Sequence, residues 1–160
     1  MKIIFISREE IKNPLASSII EAGKKLHECK LRAKSISMRY GKRILITAMG
    51  ANIHDLRSGD FVEIVDYNPA GDIMLVIGTK APPDEAMIHW FIYRREEINA
   101  IIYAEGNVEG GIKVDERRNT MEFIAEILKA LKKGNLINAG KDVISAGENL
   151  QKALEELKCS

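Results

Sequence analysis

Leu15, Ile19, Ala22, Leu26 and Cys29 recur at the spacing that places side chains on one face of an α-helix. Residues 14–29 are therefore predicted as an amphipathic helix. Pro14 suits the first helical position, where its missing N–H costs nothing, and Asn13 is placed to cap it. Upstream, Ser7-Arg8-Glu9-Glu10 has the S-x-x-E form of a capping box, which predicts a helix or helical turn starting there. Beyond the helix the pattern changes to short runs at 35–39, 43–48, 61–67 and 72–77 that read as strands. Tyr40-Gly41-Lys42 and Asn68-Pro69-Ala70-Gly71 are turn sequences, so these runs pair into antiparallel hairpins. Pro82-Pro83-Asp84 opens another helix, with Asp84 as cap and Ile88, Phe91 and Ile92 as its apolar face. Residues 98–104 form a β-branched run suited to a buried strand, and 106–114 a glycine-containing loop with weak strand character at its end. A helix follows over 117–133, buried through Met121, Ile124, Leu128 and Leu131 and stopped by Gly134. The chain closes with a short strand at 143–146 and a helix at 148–158. Hairpins mixed with helices, without a repeating βαβ rhythm, predict a mainly antiparallel sheet flanked by helices.

Length and charge narrow the function classes. A chain of 160 residues suits one domain spanning 1–160, and at this size roughly 70% of the unfolded surface is buried without a metal or disulfide staple. The net charge of +1 gives no overall field for nucleic acid or an anionic membrane. Lys24-Lys25 and Lys132-Lys133 read as solvated helix faces. No apolar run approaches the ~20 residues needed to span a bilayer. The opening run from Met1 to Ile6 is too short for a signal sequence, and Arg8-Glu9-Glu10 follows at once. We expect a soluble, cytoplasmic protein with no nucleic-acid or membrane partner. Cys29 and Cys159 sit at no metal-like spacing and are read as a reduced pair. Many Ile, Lys and Glu residues beside the single Gln151 give a thermophile-like composition.

The order of motifs resembles a known family. Ile19-Ile20-Glu21-Ala22-Gly23-Lys24-Lys25-Leu26 looks like the first helix of class II aldolase and adducin domains. Ser35-Ile36-Ser37-Met38-Arg39 resembles their G-N-I-S-x-R strand, and Ile44-Leu45-Ile46-Thr47-Ala48-Met49-Gly50 their x-L-I-T-P-S-G segment. Asp55-Leu56 through Val62-Glu63-Ile64 resembles the strand that follows. Residues from Pro82 to Tyr93 match P-S-S-E-x-x-x-H-x-x-I-Y, and those from Asn99 to Glu105 fall on x-A-V-V-H-x-H. Val143 to Leu150 resembles V-V-V-V-G-K-D-L. The similarity covers most of the chain in the right order and is weakest over 106–141.

The resemblance implies a three-layer α/β/α sandwich, a homo-oligomer with a tetramer as first choice, and a lineage of zinc-dependent aldolases and epimerases acting on sugar phosphates. In active members a zinc ion held by three histidines stabilises an enediolate while a glutamate moves the proton. Carried onto this chain, the glutamate is Glu85. The metal positions become Tyr103, Glu105 and, aligning back from Gly147, Lys141. A phenol and an ammonium are poor zinc ligands, so the site reads as vacated and no metal or other cofactor is expected. The substrate-binding positions fall on Lys34, Ser35, Thr47, Gly50 and Asp84. Pro83 and Asp84 replace a serine pair, leaving neither a hydroxyl nor a proline N–H for phosphate, and Asp84 would repel it.

Each sharp reading has a plainer rival. Glu85 is either a general base or an early-helix glutamate favoured by the helix dipole. His89 could share a helix face with Glu85 as a metal pair, but a histidine hydrogen-bonded inside the helix–sheet interface explains it as well. Trp90 and Phe91 read as packing residues, and Lys141 as a Schiff-base nucleophile is the weakest option. With the zinc ligands replaced, we expect Glu105 and Lys141 to form a compensating ion pair. Two functions stay open: an enzyme, aldolase-like, on a small anionic or hydroxylated carbonyl compound, or a catalytically silent oligomeric module of the adducin-head type.

Overall fold

The computed structural model describes residues 1–115 and 120–159. The opening apolar run is a strand, β1 (Lys2–Ser7), which lies parallel to β5 (Ile73–Ile77) at one edge of the sheet. The helical start expected at Ser7 does not form, because no apolar stripe follows it before Pro14. Ser7 ends β1, and its hydroxyl accepts the Glu9 N–H at 3.2 Å.

The helix read over 14–29 is α1 (Ala16–Glu28), entered through a turn in which Asn13 Oδ1 accepts the Leu15 N–H at 2.9 Å. Its stripe buries Ile19, Ala22 and Leu26, and each such Ile or Leu contributes about 1.5–3 kcal/mol. At Gly23 an added Cβ would lie 1.9 Å from the Ile53 carbonyl oxygen, so only glycine lets α1 sit this close to the Ile53–Asp55 turn.

Both hairpins form. β2 (Ala33–Tyr40) and β3 (Arg43–Thr47) pair with Tyr40 opposite Arg43, and Gly41 adopts the positive φ of 60° that the two-residue loop requires. β4 (Phe61–Asn68) returns to β5 through a turn in which Asn68 Oδ1 accepts the N–H groups of Ala70 and Gly71. α2 (Ala86–Ile92) begins one step later than expected. Glu85, not Asp84, stands at its cap position, with no side-chain cap bond. β6 (Ala100–Glu105) and β7 (Ile112–Val114) follow.

The start expected for the next helix at Arg117 lies outside the described residues. α3 (Thr120–Leu131) is buried through Phe123, Ile124, Ile127, Ala130 and Leu131, while Met121 is 53% exposed and not part of the core. β8 (Leu136–Ala139) has no counterpart in the sequence reading. β9 (Asp142–Gly147) and α4 (Leu150–Glu156), capped by Asn149 on the Lys152 N–H at 2.8 Å, complete the chain.

Among the described residues the strands make one sheet in the order β1-β5-β4-β3-β2-β6-β9-β8-β7. Every pairing is antiparallel except β1 with β5 and β7 with β8. One face packs against α2 and α3 through residues such as Ile101, Tyr103 and Ile144. The other packs against α1 and α4 through Ile36, Leu45, Ile102 and Val143. The expected three-layer α/β/α sandwich is present.

The cysteines are not a reduced pair. Cys29 and Cys159 form a disulfide with Cα atoms 5.8 Å apart and a sequence separation of 130. Spacing along the chain carries no information about two residues that meet only because α1 and α4 share a face.

Candidate functional site

Tyr103 and Glu105 lie at the end of the central strand β6 on the face that carries α2 and α3. The neighbouring strand β2 is irregular at this point. Ala33 pairs with Ala104 and Ser35 with Tyr103, so Lys34 is an extra residue without a partner in the ladder. Strict alternation would turn Lys34 to the opposite face from Ser35, but a bulge re-aims the side chain it carries. The Lys34 ammonium accordingly lies 5.4 Å from the centroid of the Tyr103 ring. It donates a hydrogen bond to Asp142 Oδ2 at 3.1 Å.

Asp142 stands directly opposite Glu105 in the β6–β9 ladder. Two carboxylates facing each other across a ladder repel. Here each has its own cation: Lys34 on Asp142, and Arg32 on Glu105 at 3.8 Å. Burial alone disfavours the Lys34 ammonium, but the Asp142 hydrogen bond and the charges of Asp142, Glu85 and Glu105 outweigh it, and its pKa is raised. Glu85, at the start of α2, is one of the acids whose negative charge favours this ammonium. Lys34, Tyr103 and Glu105 are thus brought together, with Asp142 as a member that the sequence reading missed and Glu85 at the start of the helix covering this face.

The expected Glu105–Lys141 pair does not form. Lys141 occupies the turn between β8 and β9, where its carbonyl accepts the Gly106 N–H at 2.7 Å. Alignment from Gly147 backwards runs one residue past Asp142, the position facing Glu105, and a one-residue step decides which side chain faces the site. The acid at 142 becomes readable only once β9 is set against β6.

The other candidate binding residues are dispersed. Ser35 and Thr47 are fully buried. The Ser35 hydroxyl bonds His89 Nε2 at 2.9 Å, and Thr47 Oγ1 accepts the Ile36 N–H at 3.1 Å. Both hydroxyls are therefore committed inside the fold. Gly50 and Asp84 are exposed. Their loops are tied together by the Met49 N–H bonding the Ala81 carbonyl at 2.9 Å.

His89 is fully buried between α2 and β2, with Nδ1 bonded to Ser37 Oγ at 2.7 Å and Nε2 to Ser35. Ser37 also bonds the Tyr93 hydroxyl at 2.8 Å. Burial pushes the imidazole pKa down to about 3. A neutral imidazole has one donor and one acceptor nitrogen, and the two serines satisfy both. This histidine holds helix to sheet and has no nitrogen left for a metal. Trp90 and Phe91 pack edge-on with Tyr67, at 5.4 and 6.1 Å between ring centroids, as packing residues do.

The donor chemistry of this cluster does not fit a zinc ion. Zinc sites use imidazole, thiolate and carboxylate ligands converging at about 2.0–2.3 Å. Here a phenol and a carboxylate share the space with an ammonium already seated against Asp142. Among the described residues no group of three or more His, Cys, Asp or Glu side chains is arranged to hold a metal ion.

Known structures share this architecture. An L-fuculose 1-phosphate aldolase superposes with a TM-score of 0.74 at 18% identity, covering 93% of this chain and 82% of that one. The L-fuculose-1-phosphate aldolase from Thermus thermophilus gives 0.68 at 18% identity, covering 89% and 85%. The N-terminal class II aldolase domain of a conserved protein from Thermoplasma acidophilum gives 0.65 at 14% identity, covering 93% and 92%. At these identities the likeness establishes the fold. No curated protein sequence matches the chain. Residues 17–108 match the sequence model of the family described as Class II Aldolase and Adducin N-terminal domain. With more than half of the chain matched and the architecture shared with these structures, the protein belongs to the class II aldolase and adducin family.

Proposed function

We propose that the chain is a divergent enzyme of the class II aldolase lineage, acting on a small phosphorylated or hydroxylated carbonyl compound, with the zinc site of the lineage lost. The observation that carries this reading is the Lys34 ammonium held 5.4 Å from the Tyr103 ring and bonded to Asp142, on the sheet face covered by α2, the helix that Glu85 opens. A carboxylate next to a fixed cation is the pairing that proton abstraction beside a carbonyl requires: one group takes the proton, the other steadies the oxygen. Glu85 is the base. Lys34 contacts the substrate, and Gly50 and Asp84 stand in exposed loops as further candidate contacts, whereas the fully buried Ser35 and Thr47 do not reach it. Tyr103 and Glu105 are vacated metal positions, with Lys141 in the adjoining turn.

The whole chain, 1–160, serves as one domain. The protein assembles as a homotetramer, and its partner is a small anionic substrate. No described helix is long and apolar enough to cross a membrane. A cytoplasmic location together with the Cys29–Cys159 disulfide matches an intracellular protein of a hyperthermophile, a setting where such bonds are common.

The test is proton exchange at the carbon beside the carbonyl of dihydroxyacetone phosphate and of glycolaldehyde in D2O, followed by NMR. Exchange by the wild type that falls about 100-fold or more in Glu85→Gln is the expected result. No exchange above the buffer rate with either compound would remove the enzyme reading and leave the silent module. Sedimentation at micromolar concentration checks the assembly, and a monomer would contradict the tetramer.

A further inference from the structure

We infer that Lys34 is itself a catalytic residue: the bulge in β2 delivers its ammonium to the Tyr103 face as a built-in cation for the substrate's carbonyl oxygen, and the same ammonium keeps divalent metals out. The inference rests on the reading of Glu85 as the base. Its structural basis is separate, and lies in the unpaired ladder position of Lys34, its approach to the Tyr103 ring and its hydrogen bond to Asp142. A bulge costs ladder hydrogen bonding. Without it, alternation would send this lysine to the opposite face, where α1 and α4 pack.

An ammonium has three N–H donors. Asp142 takes one, which orients the group and leaves two for the substrate. Two donors on one nitrogen suit two neighbouring oxygens, so the ligand class is an α-hydroxy carbonyl compound. In the step, Glu85 removes the proton from the carbon next to the carbonyl. The C–H electron pair becomes the new C=C bond, and the carbonyl π pair moves onto oxygen, where it is met by the Lys34 N–H. The proton on Glu85 exchanges with solvent before a hydron is returned to carbon, so the step is read out in D2O and no oxidant, reductant or metal enters the balance.

Glu85, Glu105 and Asp142 supply negative charge around the ammonium. A divalent ion entering the cluster must displace Lys34 from Asp142 or share the space with a like charge. Lys34→Met removes the charge at similar length, and Lys34→Arg keeps it.

The test measures Zn2+ and Mn2+ uptake by calorimetry on the full chain, and the exchange reaction with and without EDTA. The wild type is expected to bind neither ion stoichiometrically and to be unaffected by EDTA. Lys34→Met is expected to gain at least about tenfold in Mn2+ affinity and to lose about 100-fold or more in exchange rate, with Lys34→Arg recovering part of the rate. Stoichiometric zinc in the wild type would overturn the inference, as would unchanged exchange in a folded Lys34→Met. Should the wild type show no exchange at all, the enzyme reading fails and the metal titration alone decides this one. Gained affinity in Lys34→Met then supports Lys34 as the resident cation, and no gain overturns it.

Discussion

Cys29, directly after α1, is bonded to Cys159, beyond the end of α4, across 130 residues of sequence. The bond closes nearly the whole chain into a loop, and both helices it joins lie on the same face of the sheet. The chain-entropy relation gives about 5 kcal/mol for a loop of this size. Cys29→Ser, or reduction of the wild type, should therefore lower the unfolding free energy by about 2–5 kcal/mol. Denaturant titrations with and without reductant measure this, and superimposable curves would show that the bond does not constrain the unfolded chain.

His89 should make stability depend on acidity in a defined direction. Its folded pKa is pushed down to about 3 by burial, whereas an unfolded histidine titrates near ~6.5. Between those values the unfolded chain binds a proton that the native chain refuses. The contribution of His89 is thus complete above pH ~6.5 and declines as pH falls toward the folded value, by about 1.4 kcal/mol per pH unit. Asp60 adds a slope of the same sign at lower pH. Its burial would raise its pKa, but hydrogen bonds from Lys80 and the Arg57 N–H lower it. The informative quantity is therefore the difference between wild type and His89→Gln. The variant should be flatter between about pH 6 and 4, and parallel profiles would show that His89 does not titrate on unfolding.

The sequence disclosed elements whose stabilising contacts are local. The stripe of α1 and the turns at Gly41 and Asn68 each depend on neighbours a few residues away, and each is present. β1 escaped notice because its reason to exist is parallel pairing with β5, some seventy residues on. The disulfide escaped for the same cause, whereas β8 pairs locally with β9, Ala139 opposite Asp142, and was missed because its four residues carry no clear alternation. At the site, Glu85, Tyr103 and Glu105 followed from motif positions. Lys34 was marked as an anion contact, but its turn toward Tyr103 depends on a ladder irregularity that only the pairing of β2 with β6 reveals. The cation that balances the former metal position was expected at Lys141 and is Lys34, with Asp142 as its partner.

Arg39, the arginine of the strand motif, should be a structural clamp that lysine cannot replace. Its Nη2 donates to the carbonyls of Tyr93, Arg95 and Ile98 at 2.7, 3.0 and 2.8 Å. Its Nε lies 3.1 Å from both the Ile98 carbonyl and Asn99 Oδ1. These bonds fasten the segment after α2 to β2. A guanidinium fork serves several acceptors in one plane, which a single ammonium does not. Arg39→Ala should cost about 2–3 kcal/mol through carbonyls left without their charged donor, and Arg39→Lys should restore less than half of that. Thermal and urea unfolding of the variants measure the loss. Full rescue by lysine would show that charge alone, not the fork, secures this segment.

The last prediction separates the structural value of the Lys34–Asp142 pair from its role at the site. The two groups are 3.1 Å apart, but the Lys34 side chain is 38% exposed. Solvent screens a pair of this kind, and its coupling should be below about 1 kcal/mol. A double-mutant cycle of Lys34→Met and Asp142→Asn, followed by urea unfolding at neutral pH, gives that coupling directly. Lys34→Met should cost slightly more than Asp142→Asn, because it leaves Asp142 facing Glu105 without its own cation, while Arg32 pairs with Glu105. Since the folded pKa of Lys34 is raised, whatever the pair contributes is complete below the ordinary lysine value of ~10.4 and is lost as pH rises through the folded one. A coupling above about 2 kcal/mol would mark the pair as part of the buried scaffold. Loss of activity in Lys34→Met would then report damage to the fold and not the removal of a cation from the site.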